Sequence, residues 1–266
     1  MLLVMDVGNS HTVLGMYKAD NAAHDTELLA HWRVMTTNYR TTDEVRMLLT
    51  MLFQQEGIRM DSVRDCCVSS VVPQLNFSLE KACREAFGVD PLFVGPGVRT
   101  GLVIQVENPK EVGADRIVNA VGALVEYGGP LIVVDFGTAT TIDAITAHSE
   151  YIGGVIVPGI QISADALFEK CAKLPRIEIA KPPSVVGKDT VAHIRSGLTY
   201  GYADLVDGLI GRVTDEMDGS PQVIATGGFA GLIAGIAKRI DKIDPMLTLK
   251  GLRAVYAKNK SLKEEA

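Results

Sequence analysis

The chain contains an internal repeat, which constrains its fold more than any other feature of the sequence. Aligned without gaps, segments 2–13 and 131–142 both start with four apolar residues, continue with Asp-x-Gly and then turn to small polar residues. Asp6 and Asp135 lie 129 positions apart, close to half of the 266 residues. One such motif after a strand is common. Two in the same phase, each followed by Thr and a β-branched residue, favour a duplicated protein of two domains over two unrelated strands.

Each copy of the repeat is expected to form a strand, a tight turn and an antiparallel strand. A short apolar run that ends at Gly has the length of a buried strand, and the β-branched residues that follow predict the second strand of a hairpin. Apolar spacing predicts helices at 42–54 and 79–87, strands at 65–72, 91–94 and 222–225, and one long helix at 191–213 capped by Asp189 or Thr190. Strands that alternate with helices indicate α/β layers.

The composition excludes several classes of protein. The chain is 47% hydrophobic and 22% charged, which excludes a disordered or fibrous chain. Its net charge of −6 lacks the basic footprint of a nucleic-acid-binding protein. No run approaches the roughly 20 apolar residues that span a bilayer, and Asp6 comes too early for a signal peptide. Four cysteines without a CxxC pair do not indicate a disulfide framework. We expect a cytoplasmic protein with no nucleic acid or membrane partner.

The two Asp-x-Gly turns have the chemistry of a phosphate site. Glycine lets the backbone approach a ligand closely and exposes N–H groups to phosphate oxygens. A carboxylate at a strand end suits a hard cation such as Mg²⁺, which often binds through one or two carboxylates together with phosphates. Short polar side chains beside the turns add donors: Asn9, Ser10, Thr138, Thr140 and Thr141. For one turn alone, an aspartate that only satisfies turn amides is the alternative; the pair favours a nucleotide clamp.

These motifs resemble those of a known superfamily. Segments 6–10 and 135–138 resemble the two phosphate loops of the acetate and sugar kinase/heat-shock ATPase/actin superfamily, and 226–228 resembles its adenosine loop. More narrowly, the chain resembles type III pantothenate kinases through Asn108-Pro109, Glu111 to Arg116, Gly153-Gly154 and Pro158-Gly159. The resemblance implies an α/β fold of two duplicated actin-like (ribonuclease H-like) domains, with mixed sheets flanked by helices and a nucleotide cleft between them. We expect domains at 1–114 and 115–257 and a charged tail at 258–266.

The family resemblance also implies an activity, the ATP-dependent phosphorylation of pantothenate to 4′-phosphopantothenate, the first step toward coenzyme A. It implies that ATP contacts the following residues: Asp6, Val7, Gly8, Asn9, Ser10, His11, Thr12, Val13 and Thr138. The family usually has Thr where this chain has Ser10; serine keeps the hydroxyl, and the role of His11 stays open. Two rivals are a superfamily kinase for a sugar or small carboxylate, and a nucleotide-binding regulator without catalysis.

Asp115 is the catalytic base that the resemblance implies. On the sequence alone, an N-cap of the following helix is the default interpretation. Phosphoryl transfer to a primary alcohol needs a carboxylate that orients the hydroxyl and takes its proton. The resemblance further implies that pantothenate contacts Gly113, Ala114, Asp115, Arg116 and Thr190. Arg116 can fork onto a carboxylate or be a surface cation, and Thr190 can be only a helix cap.

The resemblance implies two cations and a partner subunit as well. Mg²⁺ is expected at Asp6, directly or through water, and a monovalent cation, K⁺ or NH₄⁺, at Asp135. Family members are homodimers. The apolar residues of segment 161–174, among them Ile162 and Leu167, therefore belong either to a subunit interface or to an ordinary core helix.

Overall fold

A computed structural model of the chain describes residues 1–18 and 27–265, with side chains described through residue 260. The strands are β1 (Leu2–Val7), β2 (His11–Tyr17), β3 (Leu28–Met35), β4 (Asp65–Ser70), β5 (Leu92–Phe93), β6 (Val103–Ile104), β7 (Leu131–Phe136), β8 (Ala139–Ile145), β9 (Glu150–Pro158), β10 (Gln222–Gly227) and β11 (Lys242–Ile243). The helices are α1 (Thr42–Gln55), α2 (Pro73–Phe87), α3 (Ala114–Tyr127), α4 (Ile160–Lys170), α5 (Thr190–Ser196), α6 (Tyr202–Asp215), α7 (Ala230–Ala234) and α8 (Leu247–Glu265).

The chain forms two compact units, each built on one mixed sheet. The first unit comprises Met1–Leu102, Asn108–Val125 and the chain from Thr248 onward; the second comprises Val103–Glu107 and Glu126–Leu247. The first sheet has the strand order β3-β2-β1-β4-β5 and the second has the order β11-β10-β7-β8-β9-β6. These are the mixed sheets flanked by helices that the sequence predicts.

The duplication extends to the pairing of the strands. In the first sheet β1 is antiparallel to β2 and parallel to β4, and in the second sheet β7 is antiparallel to β8 and parallel to β10. The third strand of each repeat, β3 or β9, is antiparallel to the second. Both predicted hairpins are therefore confirmed, and each aspartate occupies the fifth position of its strand.

The two hairpins differ in length by one residue, which corrects the alignment without gaps. Val7 pairs with Thr12 in the first hairpin, whereas Phe136 pairs with Thr140 in the second. Thr12 consequently corresponds to Thr140 and not to Thr141. A one-residue change in the turn shifts every later residue by one position, and in a strand that shift exchanges the two faces.

Each sheet buries one face under helices of its own unit. Alternate residues of the first sheet pack on α1 and α2 in one apolar core; they include Leu3, Met5, Val7, Leu14, Met16 and Val68. The second sheet packs on α6 and α7 in the same way, and the residues include Ile132, Val134, Phe136, Ile142, Val206 and Ile233. The residues on the other face of β1 and β7 are buried as well, among them Val4 and Val133. The near-continuous apolar runs of β1 and β7 follow from burial on both faces.

The expected domain boundary at 114/115 differs from the observed units, because α3 and α8 pack in the first unit. A Cβ atom on Gly251 of α8 would overlap the backbone of Val118 of α3, and one on Gly15 of β2 would lie 2.9 Å from Leu249. The expected charged tail is not a separate segment either. Residues 258–265 continue α8, and the last residue lies outside the described part of the chain.

Most predicted elements are found, with three differences. Helix α2 begins earlier than expected, at Pro73, where the first helical turn needs no N–H from the proline. The predicted strands at 65–72 and 91–94 are shorter, and the predicted helix at 191–213 consists of α5 and α6 joined by a π-turn at Gly197–Gly201. The four cysteines are free thiols. In residues 1–18 and 27–265 no helix is long and apolar enough to cross a membrane.

Candidate active site

The first Asp-x-Gly turn is a tight hairpin turn that presents short polar side chains. The Gly8 N–H donates to the carbonyl oxygen of His11 at 3.0 Å, and the Thr36 N–H donates to that of Ser10 at 3.0 Å. The turn is thereby fixed to the residue after β3. The side chains of Asn9, Ser10 and His11 are exposed. The predicted first phosphate loop therefore has a held backbone and solvent-facing polar groups.

Side chains of this hairpin point to opposite faces of the sheet. Residues alternate along a strand, so Asp6 and its cross-strand partner Val13 share one face while Val7 and Thr12 share the other. Val7 is buried in the core, and Thr12 Oγ1 lies 2.9 Å from Thr36 Oγ1. Val7 and Thr12 were both predicted to contact ATP. Because their side chains lie on the face opposite to Asp6, only their backbone atoms could contact a ligand on the Asp6 face.

A buried hydroxyl stands beside each repeat aspartate across a parallel ladder. Ser69 of β4 is paired with Asp6, and Thr226 of β10 is paired with Asp135. Ser69 is 0% exposed, and its Oγ has no hydrogen-bond partner in the described part of the chain. Ser69 was not among the site residues predicted from the sequence. A hydroxyl at the end of a strand parallel to β1 is the signal that could have found it.

Asp115 lies in the first turn of α3 and is not its N-cap. Helix α3 begins at Ala114, and the N–H of Ile117 donates to the carbonyl oxygen of Gly113 at 3.2 Å. Asp115 Oδ1 accepts a hydrogen bond of 2.8 Å from the backbone N–H of Arg116. A Cβ atom at Gly113 would overlap that same oxygen. The glycine therefore makes room for the carboxylate in its observed position.

Burial raises the pKa of the Asp115 carboxyl. Loss of hydration raises its pKa above the ordinary 3.8, although the Arg116 backbone N–H and the guanidinium charge of Arg116 act in the opposite direction. A carboxylate with a raised pKa is a stronger base than an exposed one. The environment of Asp115 thus suits proton transfer better than that of a surface aspartate.

Asp115 belongs to the same unit as Asp6 and lies near the same end of the first sheet. A Cβ atom at Gly113 would be 3.8 Å from Val71 Cγ1, and the Val71 N–H donates to the carbonyl oxygen of Val7 at 3.0 Å. Val71 follows β4 directly, and Val7 ends β1. The segment that carries Asp115 therefore adjoins the carboxyl ends of the two central strands, where Asp6 also lies.

Two glycines from elsewhere in the second unit enclose the second turn. Gly159, the residue after β9, donates its N–H to the carbonyl oxygen of Thr138 at 3.2 Å, and a Cβ atom there would overlap this oxygen. Gly227 ends β10 with φ +93°, and its Cβ would be 2.5 Å from Asp135 Oδ1. The structure brings together the second phosphate loop, Pro158-Gly159 and the first glycine of the predicted adenosine loop.

Two threonines expected to donate to phosphate have protein partners instead. Thr140 is 1% exposed, and its Oγ1 lies 2.8 Å from the Tyr202 hydroxyl. Thr141 Oγ1 donates to Asp143 at 3.2 Å. Among the side chains predicted for this turn, Thr138 is exposed. Thr140 pairs with the buried Phe136 and lies on the core face, whereas Thr141 pairs with Asp135 and lies on the face of that carboxylate.

Thr190 is the first residue of α5, and its neighbour provides the cap. Asp189 Oδ1 accepts a 2.8 Å hydrogen bond from the Ala192 N–H, so Asp189 is the N-cap. The Thr190 side chain is exposed and has no capping role. Of the two caps that the sequence left open, the structure selects Asp189.

The carboxylates of the two turns fit a cation that also binds phosphate. Within residues 1–18 and 27–265 no group of three or more His, Cys, Asp or Glu side chains is placed to hold a metal ion. The Asp6 and Asp135 carboxylates could each offer oxygen atoms to a cation, and each lies near a glycine, Gly8 or Gly227, where a Cβ atom would crowd its neighbours. Asp6 taken by itself fits Mg²⁺, which keeps several waters and binds through one or two carboxylates together with phosphate oxygens.

Solved structures with the same fold support the architecture. A protein of Campylobacter jejuni described as a Baf family transcriptional activator has a TM-score of 0.62 at 18% identity, with 97% of this chain and 99% of that chain covered. The activator of 2-hydroxyisocaproyl-CoA dehydratase from Clostridium difficile, solved with bound ADPNP, has a TM-score of 0.59 at 12% identity, with 100% and 97% covered. Component A of the Acidaminococcus fermentans (R)-2-hydroxyglutaryl-CoA dehydratase has a TM-score of 0.57 at 15% identity, with 98% of each chain covered. The fold is that of the actin-like ATPases.

The sequence itself matches a protein-family model described as type III pantothenate kinase. The match covers residues 2–212, which include both Asp-x-Gly turns, the Gly113–Arg116 segment and Thr190. The chain belongs to the type III pantothenate kinase family.

Proposed function

We propose that this kinase transfers the γ-phosphoryl group of ATP to the primary hydroxyl of pantothenate and releases 4′-phosphopantothenate and ADP. The observation that carries the proposal is the family match over residues 2–212. A reaction of this kind provides the first intermediate on the way to coenzyme A. The nucleotide as donor is further supported by the ADPNP bound to the dehydratase activator of the same fold.

Asp115 is the proposed catalytic base. Its carboxylate takes the proton of the pantothenate hydroxyl while the hydroxyl oxygen bonds to the γ-phosphorus, and the bond from the γ-phosphorus to the β–γ bridging oxygen breaks. Burial raises its pKa, which strengthens the base, and the Arg116 N–H at 2.8 Å orients it. An ionised, oriented carboxylate next to the acceptor is what this step requires.

The proposed pantothenate contacts are the segment Gly113–Arg116 and Thr190. Pantothenate carries one carboxylate, and the Arg116 guanidinium can donate two parallel hydrogen bonds to such a group. Gly113 leaves space beside Asp115, and the exposed Thr190 offers a hydroxyl that the helix cap does not use. These groups would bind the substrate by its acid and its hydroxyl end.

The proposed ATP site uses the backbone N–H groups and short side chains of each phosphate loop. Asn9, Ser10 and Thr138 are exposed donors, and His11 lies on the Asp6 face at the start of β2. We assign Asp6 to Mg²⁺, directly or through water, and Asp135 to a monovalent cation, K⁺ or NH₄⁺. When bound, these cations offset the negative charge of the triphosphate.

A homodimer is also part of the proposal. Ile162 and Leu167 of α4 are 44% and 36% exposed, whereas Ile160 and Ala164 supply the buried side of this helix. A subunit interface would cover these side chains if they belong to a larger apolar patch, the kind of surface that marks protein contacts. Their exposure shows that these two residues are not part of the core of the single chain, which leaves the subunit interface as the role we propose for them.

The rival functions make different use of the same fold. A kinase for a sugar or a small carboxylate would keep both phosphate loops and reject pantothenate. The Campylobacter jejuni protein is described as a transcriptional activator, which is a regulatory role. The net charge of −6 disfavours a DNA-binding version, and Asp6, Asp115 and Asp135 keep the carboxylates that turnover would need.

ADP release from Mg-ATP tests the proposal. We expect release that requires pantothenate and is faster in potassium or ammonium than in sodium buffer. Glucose, acetate and glycerol, as acceptors of the rival kinases, should give only the background rate. Release with one of these acceptors and none with pantothenate would contradict the substrate and favour the rival kinase.

A further inference from the structure

Three groups hold the second phosphate loop from the side of α6, and we call them the hydroxyl clamp: the Thr140 hydroxyl, the Tyr202 hydroxyl and the Pro158 carbonyl. Tyr202 Oη lies 2.8 Å from Thr140 Oγ1 and 2.7 Å from the Pro158 oxygen. Thr140 is the second residue of the return strand β8, and Pro158 ends β9. One tyrosine thus ties both ends of the loop region to one helix.

The two hydrogen bonds of the hydroxyl clamp can both form in only one arrangement of donors and acceptors. The Pro158 carbonyl can only accept, so Tyr202 donates its single proton there and Thr140 donates to Tyr202 Oη when both bonds are made. Burial raises the pKa of Tyr202, and the phenol remains protonated as this arrangement requires. Tyr202 is 7% exposed and Thr140 is 1% exposed, so loss of the phenol hydroxyl would leave the buried Thr140 hydroxyl without this partner.

A π-turn sets the position of Tyr202. The turn at Gly197–Gly201 immediately precedes it, and the backbone stays helical through Gly197 and Gly201. A π-turn inserts one residue relative to an α-helix, which rotates the following side chains by about 100° around the axis. An uninterrupted helix would aim Tyr202 away from Thr140. Such turns are frequent at functional sites.

The first repeat holds its loop in a comparable way, which argues against a chance contact. Thr12, the residue that corresponds to Thr140, has its Oγ1 2.9 Å from Thr36 Oγ1. The Thr36 N–H donates to Ser10, just as the Gly159 N–H donates to Thr138. In both repeats a hydroxyl of the return strand is therefore linked to the end of the third strand. In the second repeat Tyr202 makes the link.

We propose that Tyr202 and Thr140 are positioning residues for the second phosphate loop and set its affinity for the phosphates of ATP. The route is short, because Pro158 precedes Gly159 and the Gly159 N–H binds the carbonyl oxygen of Thr138 at 3.2 Å. The inference rests on the proposed function, in which Thr138 contacts ATP. It adds the two residues that keep this contact in place.

Titration calorimetry with Mg²⁺ and a non-hydrolysable ATP analogue, without pantothenate, tests the inference. We expect Tyr202→Phe to bind the analogue about 2- to 12-fold more weakly than the wild type, the usual range for one lost hydrogen bond. In turnover assays the KM for ATP should rise while the KM for pantothenate stays unchanged. Thr140→Val should show the same split, and Thr140→Ser, which keeps the hydroxyl, should restore binding.

Tyr200→Phe is the matched control. Tyr200 lies within the π-turn, and its hydroxyl lies 3.4 Å from the Pro182 carbonyl, so the change also removes one tyrosine hydroxyl near a carbonyl. It should leave analogue binding unchanged. Equal binding by the wild type, Tyr202→Phe and Thr140→Val would overturn the inference alone. A wild type that binds no ATP analogue would overturn the proposed function and the inference together, whereas one that binds it but fails on pantothenate would contradict only the substrate.

Discussion

Gly113 is the residue on which the position of the Asp115 carboxylate depends most directly. Because a Cβ atom would overlap Asp115 Oδ1, Gly113→Ala must move the carboxylate. We expect the rate of phosphoryl transfer to fall at least about 10-fold, since small displacements of a catalytic group are costly. Circular dichroism should show the fold retained. Gly95→Ala is the control, because a Cβ there has nothing within 4 Å; equal activity of the two variants would contradict this account of Gly113.

The ionised carboxylate of Asp115, which suits catalysis, should destabilise the folded protein. Burial raises its pKa in the folded state above the ordinary 3.8, so the ionised form is less favourable there than in the unfolded chain. This destabilisation is absent below about pH 4 and grows as the pH rises through the folded-state pKa. Asp115→Asn should therefore raise the free energy of unfolding at pH 7.5 by about 0.5–2 kcal/mol, the usual size of a stabilising substitution.

Urea unfolding across pH checks the sign of this effect. The stability difference between wild type and Asp115→Asn should shrink as the pH falls and vanish at about pH 4 or below. A variant that is less stable than the wild type at pH 7.5 would contradict the burial argument, because it would mean that the charged carboxylate is held by favourable contacts.

The join between β9 and α4 is the element that shapes the second phosphate loop. Gly159 is buried there, and a Cβ atom would overlap the carbonyl oxygens of Thr138 and Gly137. Gly159→Ala must therefore displace the loop backbone, and we expect the KM for ATP to rise about 10-fold or more. Gly231→Ala in α7 serves as the control, since a Cβ there meets nothing within 4 Å. An unchanged KM for ATP in Gly159→Ala would contradict this prediction, because it would mean that the join between β9 and α4 does not affect nucleotide binding.

Elements that depend on neighbouring residues in the sequence could be predicted, whereas features that depend on contacts in the folded protein could not. The two hairpins follow from an apolar run that ends at Asp-x-Gly, and α1 follows from its apolar spacing and the capping box of Thr41 and Glu44. The π-turn before Tyr202 leaves no mark, because apolar residues three and four apart fit both a straight and an interrupted helix. The residue missing from the second hairpin is hidden as well, since Thr occurs at both candidate positions.

At the scale of the whole molecule, the repeat predicts two units with equivalent sheets, and both are found. The sequence alone did not predict that α3 and α8 belong to the first unit, and only the structure shows it. Helix α3 follows the first repeat directly, but its membership is decided by contacts with α8 near the end of the chain, such as the 2.7 Å hydrogen bond from Thr248 to Asn119. Contacts between residues far apart in sequence leave no periodic pattern that a single chain reveals.

The residues of the candidate site also divide into those that the sequence predicts and those that only the structure reveals. Asp6, Asp135 and Asp115 are visible in the sequence because motifs surround them. Ser69 and Tyr202 lack a motif of their own, and only the strand register and the fold of the second unit place them beside Asp6 and Thr140. Residues that support a site through packing are therefore the ones that sequence reasoning misses.

Transfer of a labelled γ-phosphoryl group from ATP to pantothenate tests the central claim most directly. Wild-type protein in potassium buffer should place the label on the primary hydroxyl, as mass spectrometry of the product would show. Asp115→Asn should still bind the nucleotide but transfer the label orders of magnitude more slowly, since an amide cannot accept the proton. Label that stays on ATP or appears only as free phosphate with the wild type would contradict the assigned substrate, and equal transfer by the variant would remove Asp115 from the mechanism.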